Sequence, residues 1–217
     1  MKDNYFVNYH ASICIKGSKG TFYFDPFKIE GEPHDADVVF ITHGHYDHLS
    51  IEDILKVASE KTIFAAPQDC IEQVRKSGLG EGNRIITFDN YSFNDNLFYI
   101  DDNAAKFKVF HSYNTNKKFH PKTNNWVGYL VVIDGVTYCV CGDTDVTDEL
   151  QQIKCDVLFV PIGGTFTMNA LEAAELTNKI KPKIAVPIHY NGIVGGKNDE
   201  KAFIANLDKA IEVKTFL

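Results

Sequence analysis

Three histidines and one aspartate fall within six residues in Thr42-His43-Gly44-His45-Tyr46-Asp47-His48. Imidazole nitrogens and carboxylate oxygens are the donors that divalent cations of the zinc type take. In extended backbone the side-chain direction repeats every two residues, so His43 and His45 are expected on one side. Gly44 between them permits the tight backbone needed where a strand ends. Asp47 and His48 fall in the turn before a helix. Two imidazoles from one arm, with a carboxylate and an imidazole from the other, can converge on two adjacent cations. A polar loop that gathers histidines by accident is a poor account of four ligand-type side chains at this density.

A dinuclear site needs further ligands. Candidates stand at the ends of later strands: Asp143 in Gly142-Asp143-Thr144, His189 in Pro187-Ile188-His189-Tyr190, His111 at a strand end, and His120 in the loop after it. A carboxylate such as Asp143 can bridge two cations through its two oxygens. Taken singly, an aspartate after a strand is a turn residue and a lone histidine a structural one. What changes the reading is that all of them share the C-terminal ends of strands with the histidine cluster.

The elements that must position these residues can be read from pattern. Short aromatic or β-branched runs at 5–10, 12–16 and 21–24 predict strands, closed by the turn Asp25-Pro26. The continuous apolar run 36–42 predicts a strand covered on both faces. Ser50 and Asp53 resemble a capping box for a helix that starts at Ile51. Residues 62–66 read as strand and 67–76 as a helix with Pro67 at its start. Strands follow at 84–88, 97–100, 105–111, 127–133 and 136–141, the last two flanking the hairpin signal Asp134-Gly135. Strands at 156–161 and 183–188 alternate with helices at 169–180 and 198–210 before a short closing strand. This order fits an α/β (αββα) sandwich, two mixed sheets packed face to face with helices outside, in a single domain over 1–217.

The chain carries 22 Lys+Arg against 29 Asp+Glu, a formal charge of −7. That balance argues against blanket binding of nucleic acid. Five cysteines, Cys14, Cys70, Cys139, Cys141 and Cys155, make an odd count in a chain of this length and read as buried reduced thiols. No unbroken apolar segment marks a secretion signal or a membrane span, so a cytoplasmic protein is expected. Lys117, Lys118 and Lys122 around His120 could grip a phosphate or carboxylate, or form an ordinary solvated charge run.

The motif His43-x-His45-x-Asp47-His48 resembles the H-x-H-x-D-H signature of the metallo-β-lactamase superfamily. Asp25 in Phe24-Asp25-Pro26 matches that family's first motif, Gly142-Asp143-Thr144 its bridging-aspartate motif, and Pro187-Ile188-His189-Tyr190 its last histidine motif, all in order. A finer resemblance is to the branch containing ascorbate-6-phosphate lactonase and N-acylphosphatidylethanolamine phospholipase D. Asn8-Tyr9-His10-Ala11-Ser12 and the segment from Pro161 through Gly163-Gly164-Thr165 to Met168 carry it. That branch usually has Gly where Tyr9 stands.

The resemblance implies His43, His45 and a third histidine on one metal, Asp47, His48 and His189 on the other, and Asp143 bridging. His111 is favoured as the third histidine by its strand-end position, with His120 its rival. The implied catalytic residues are Asp47, which assists the leaving group, Asp25, which fixes a histidine tautomer, and His10, placed behind the ligands or facing substrate. The implied activity is hydrolysis of an ester, lactone or phosphodiester of a small, anionic substrate by a hydroxide bridging two divalent ions. Zinc is the default ion, with manganese or iron as alternatives. A diiron redox protein and a non-catalytic, metal-stabilised binding module are the competing readings. His45 disfavours the first, since that group usually has Glu there, and the intact ligand set disfavours the second. The oligomeric state is left open.

Overall fold

The computed structural model describes residues 4–79, 82–88, 97–100 and 104–217. The chain forms two compact units that divide after residue 91.

The first unit is a six-stranded mixed sheet in sequence order, β1(Tyr5–Tyr9), β2(Ser12–Gly17), β3(Gly20–Phe24), β4(Val38–Phe40), β5(Ile63–Pro67) and β6(Ile85–Phe88). β1–β3 run antiparallel, and β3–β6 are parallel. Helices α1(Ile51–Val57) and α2(Gln68–Lys76) make the crossovers. Val39, Ile41 and Phe64 from the sheet pack with Ile54, Val57, Ile71 and Val74 from the helices. Each such side chain contributes about 1.5–3 kcal/mol by leaving water.

β4 is shorter than the apolar run 36–42 predicts, because the backbone finds other partners at both ends. The Ala36 amide donates to Val57 O (3.0 Å), and the Thr42 amide leaves the ladder for the Asp25 carboxylate (2.7 Å). The expected capping box at α1 is half formed. Ser50 Oγ accepts from Asp53 N (3.3 Å), but the buried Asp53 carboxylate accepts from Ser50 Oγ (2.8 Å) and from the amides of Lys28 (2.9 Å) and Ile29 (3.0 Å).

The second unit is a seven-stranded mixed sheet of order β13-β12-β11-β10-β9-β8-β7. Its strands are β7(Phe98–Tyr99), β8(Lys106–His111), β9(Val127–Ile133), β10(Val136–Val140), β11(Val157–Pro161), β12(Ile184–Ile188) and β13(Glu212–Val213). β7–β10 are antiparallel and β10–β13 parallel. The β9–β10 hairpin turns at Asp134 (φ 50°) and Gly135 (φ 79°), as a two-residue loop requires. α3(Ala170–Ile180) starts with a full capping box between Asn169 and Glu172. α4(Lys197–Ala205) ends five residues before the expected 210. Asn178 on α3 stops it, donating to Asn206 O and accepting from Asp208 N, both at 2.8 Å.

Two mixed sheets bearing helices are thus observed, the expected α/β class. All five cysteines are free thiols, four of them buried. No helix among the described residues is long and apolar enough to cross a membrane.

Asp53 gives this layout a pH signature. Burial works against its charge, but Lys56, Ser50 and the Ile29 and Lys28 amides outweigh it and hold the carboxyl below its usual range. A carboxyl depressed on folding stabilises above its unfolded pKa of about 3.9 and loses that contribution as pH falls through the folded value. Asp53→Asn is therefore expected to cost about 1–2 kcal/mol at pH 7. Urea titrations of both proteins should show the gap closing below about pH 4. A gap independent of pH would refute the assignment.

Candidate metal centre

In the first unit the site is built on a proton-ordering network. Asp25 follows β3 in the left-handed region (φ 46°), which swings its carboxylate back over the end of β4. There it accepts from the Thr42 amide (2.7 Å), the Thr42 hydroxyl (2.6 Å) and His48 Nδ1 (2.7 Å). Burial raises the Asp25 carboxyl above its ordinary range, and the bonds from His48 and Thr42 oppose that. The Thr42 hydroxyl spends its proton on Asp25, so it can only accept from His43 Nδ1 (3.0 Å). Both His43 and His48 thus carry their proton on Nδ1 and present a bare Nε2.

His43 Nε2 lies 3.1 Å from His45 Nδ1. Asp47 Oδ2 lies 3.3 Å from His10 Nε2 and 3.8 Å from His48 Nε2. His43 and His45 meet as expected, though not by strand alternation, since β4 stops at Phe40 and the backbone bends at Gly44 and His45 before the turn at 46–48. Gly44 has no left-handed backbone there. A Cβ would come within 3.2 Å of Gln73 Nε2, the end of a flexible side chain.

In the second unit Asp143 follows β10 and Gly142 (φ 64°), and His189 follows β12 at φ 58°. Asp143 Oδ2 lies 2.9 Å from His189 Nε2 and 3.4 Å from His120 Nε2. His120 is buried, with Nδ1 on Asn114 Oδ1 (3.2 Å), which directs Nε2 toward Asp143. Asn114 is held in turn by its Nδ2 bond to Phe166 O (2.8 Å). Ser112 Oγ sits 2.9 Å from Cys141 O and 3.1 Å from Asp143 O, pinning the backbone that carries Asp143. At Gly163 a Cβ would come within 2.3 Å of His189 O, so the Gly163-Gly164 turn is needed for the close approach that seats His189.

The structure brings His120 and not His111 to Asp143. Ser112 points at Asp143, and strand alternation sends its neighbour His111 to the other face of β8. His111 is half-buried, and burial together with nearby Lys122 lowers its pKa. It belongs to no cluster of three or more ligand-type side chains among the described residues. The lysine patch is mostly consumed internally. Lys117 pairs with buried Asp145 (2.5 Å) and Lys122 with Glu149 (2.8 Å), leaving Lys118 exposed.

Thr42, Asn114 and Ser112 were not visible as site residues in the sequence. Thr42 had a signal, a hydroxyl directly before the first histidine. Asn114 and Ser112 had none, because they act through loop geometry.

The donor set fits a metal. Two ligands at 2.0–2.1 Å in tetrahedral geometry stand about 3.3 Å apart. Within each unit the ligand-type atoms lie 2.9–3.4 Å apart across His43–His45, His10–Asp47, His120–Asp143 and His189–Asp143. The Nδ1 protons of His43, His48 and His120 are committed elsewhere.

Asp25→Asn tests the ordering network. An amide cannot accept from all three donors, so about 1–3 kcal/mol of stability should be lost. Ring ¹⁵N spectra should show His48 leaving the Nδ1-protonated tautomer. An unchanged His48 tautomer would refute the orienting role of Asp25.

Comparison with known proteins agrees with this architecture. The family model described as beta-lactamase superfamily domain matches residues 15–190. A UPF0173 metal-dependent hydrolase of Pyrococcus abyssi is 30% identical over 197 residues, covering 84% of this chain and 82% of that protein. Among solved structures, one from Parabacteroides distasonis is 25% identical with a TM-score of 0.74, covering 97% of this chain and 90% of the other. A metallo hydrolase from Ignicoccus hospitalis reaches the same TM-score at 19% identity, covering 97% and 93%. The chain belongs to the metallo-β-lactamase superfamily and, with its relatives, to the metal-dependent hydrolases of that family.

Proposed function

We propose that the chain hydrolyses an ester, lactone or phosphodiester of a small anionic substrate with two divalent ions, zinc by default and manganese or iron as alternatives. In this reading His43, His45 and His120 would hold one ion, Asp47, His48 and His189 would hold the other, and Asp143 would be shared between them. When bound, the ions supply Lewis acidity and an ionised water at neutral pH, so no serine or cysteine nucleophile is needed. The observation that carries the reading is the committed Nδ1 proton on three buried histidines, His43 and His48 by the Asp25–Thr42 pair and His120 by Asn114. A plain structural histidine has no need to keep a bare nitrogen aimed at a neighbouring ligand atom.

The chain's own groups divide the remaining work. Asp25 is a positioning residue acting through Thr42 and His48. His10, fully buried beside Asp47, holds that carboxylate in place from behind. Asp47, 8% exposed, is the carboxylate placed to pass a proton to the departing oxygen. Its pair of resembling motifs, around His10 and from Pro161 to Met168, favours the lactonase and phospholipase D-like branch. His45, a nitrogen donor where a diiron redox protein would carry glutamate, favours hydrolysis over oxygen chemistry.

Metal analysis of the purified protein should return close to two equivalents. His120→Ala should lose at least one of them and lower kcat/KM by roughly 100-fold or more, whereas His111→Ala keeps both ions. The activity panel is a nitrophenyl phosphodiester, an aryl ester and a simple lactone. Two bound ions with no turnover of any of the three would overturn the hydrolase reading.

A further inference from the structure

Beside the first unit's ligands lies a cluster that the reading above does not use. Tyr46, directly before Asp47, is 66% exposed. Its ring meets Phe27 edge-on at 6.0 Å, and Phe27 lies 6.0 Å from Tyr9, the residue before His10. Lys28 Nζ sits 4.3 Å over the Tyr9 ring and 5.8 Å from that of Phe27. Lys28 has no carboxylate partner among the described residues.

This rim is pre-set. Asn8 Nδ2 donates to Phe27 O (3.0 Å) and Lys28 O (2.9 Å), and Ser12 Oγ accepts from Phe27 N (3.1 Å). Asp53 holds the Lys28 and Ile29 amides. Lys28 itself is left-handed (φ 51°), a conformation that these five side-chain bonds over-determine. A surface loop with no task rarely takes such reinforcement. Its upkeep here presents three rings and one ammonium at fixed positions next to His10 and Asp47.

The chemistry of the rim limits what it can take. Rings stack on planar apolar groups, and an ammonium backed by a ring but lacking a carboxylate keeps its outer side for an anion. Three rings and one lysine offer far less than the roughly 800 Å² per partner of a stable protein interface. We propose that Tyr9, Phe27, Lys28 and Tyr46 form a specificity rim for substrates that carry a planar aryl-type group with an acidic substituent. The proposal rests on the hydrolase reading for its location but can be tested without turnover.

The experiment is calorimetric titration of the metal-loaded protein with methylphosphonate, phenylphosphonate and 4-carboxyphenylphosphonate. Phenylphosphonate should bind about 3- to 10-fold tighter than methylphosphonate, and the added carboxylate should give a further gain of about 3-fold. In Tyr46→Ala and Phe27→Leu the phenyl-to-methyl ratio should fall toward one, while Tyr46→Phe keeps it. Lys28→Gln should remove only the carboxylate gain. Equal affinities for the three compounds, or ratios unmoved by the variants, would overturn the rim and leave the hydrolase reading standing. An intact phenyl preference with no turnover of nitrophenyl esters would do the reverse. Absence of binding by all three would overturn the rim.

Discussion

The Asp25–Thr42 pair is the constraint on which the first unit's half of the site depends. One buried carboxylate accepts from a backbone amide, a hydroxyl and an imidazole, all at 2.6–2.7 Å. Because the hydroxyl has a single proton, its direction is forced, and with it the tautomer of His43. A network of this kind does not merely hold side chains in place; it decides which nitrogen of each ring is available. Any cation reaching His43 and His48 meets Nε2 atoms already set by the bonds at Nδ1, with no change of tautomer required.

The backbone is bent to serve the same end. His10, Asp25 and His189 all adopt left-handed conformations, at φ 54°, 46° and 58°. Such residues cost on the order of 1–2 kcal/mol each, and they persist only where surrounding structure over-determines them. At Asp25 the compensation is the triple acceptor role, and at His189 it is the close contact with Gly163. At His10 it is full burial next to Asp47. Left-handed non-glycine residues also occur away from the site, at Asn125, Asp134 and Lys181 for example, so what sets these three apart is that each lies on or beside a ligand-type side chain.

Legibility in the sequence tracks the range of the forces involved. Apolar patterning found the strands to within a residue or two, because burial of a period-2 or continuous run is a local signal. Asp134-Gly135 and Asn169 were readable since turn and cap chemistry is set by the residues themselves. The shortening of β4 was not readable, as it depends on Asp25, seventeen residues away, taking the Thr42 amide. The early end of α4 depends in the same way on Asn178 of α3. His111 and His120 could not be separated by spacing, because the distinction lies in which face of β8 each neighbour takes and in the Asn114 bond across a loop. The lysines near His120 looked available until their partners, Asp145 and Glu149, were seen to be 28 and 27 residues on.

The turn that begins at Asp25 joins two tasks. Asp25 reaches inward to order His48, and the next residues, Phe27 and Lys28, reach outward as part of the rim. Asp53, Ser12 and Asn8 clamp the same few residues from α1, β2 and β1. A loosening of any clamp would therefore move the histidine-orienting carboxylate and the rim together, because only Pro26 separates them. Pro26 has a fixed φ and no amide proton, so it transmits backbone displacement without offering a hinge. The Tyr9 ring packs beside this clamped turn, 6.0 Å from Phe27 and under the Lys28 ammonium. The proposed rim is thus tied to the same backbone segment that orders the His48 ring.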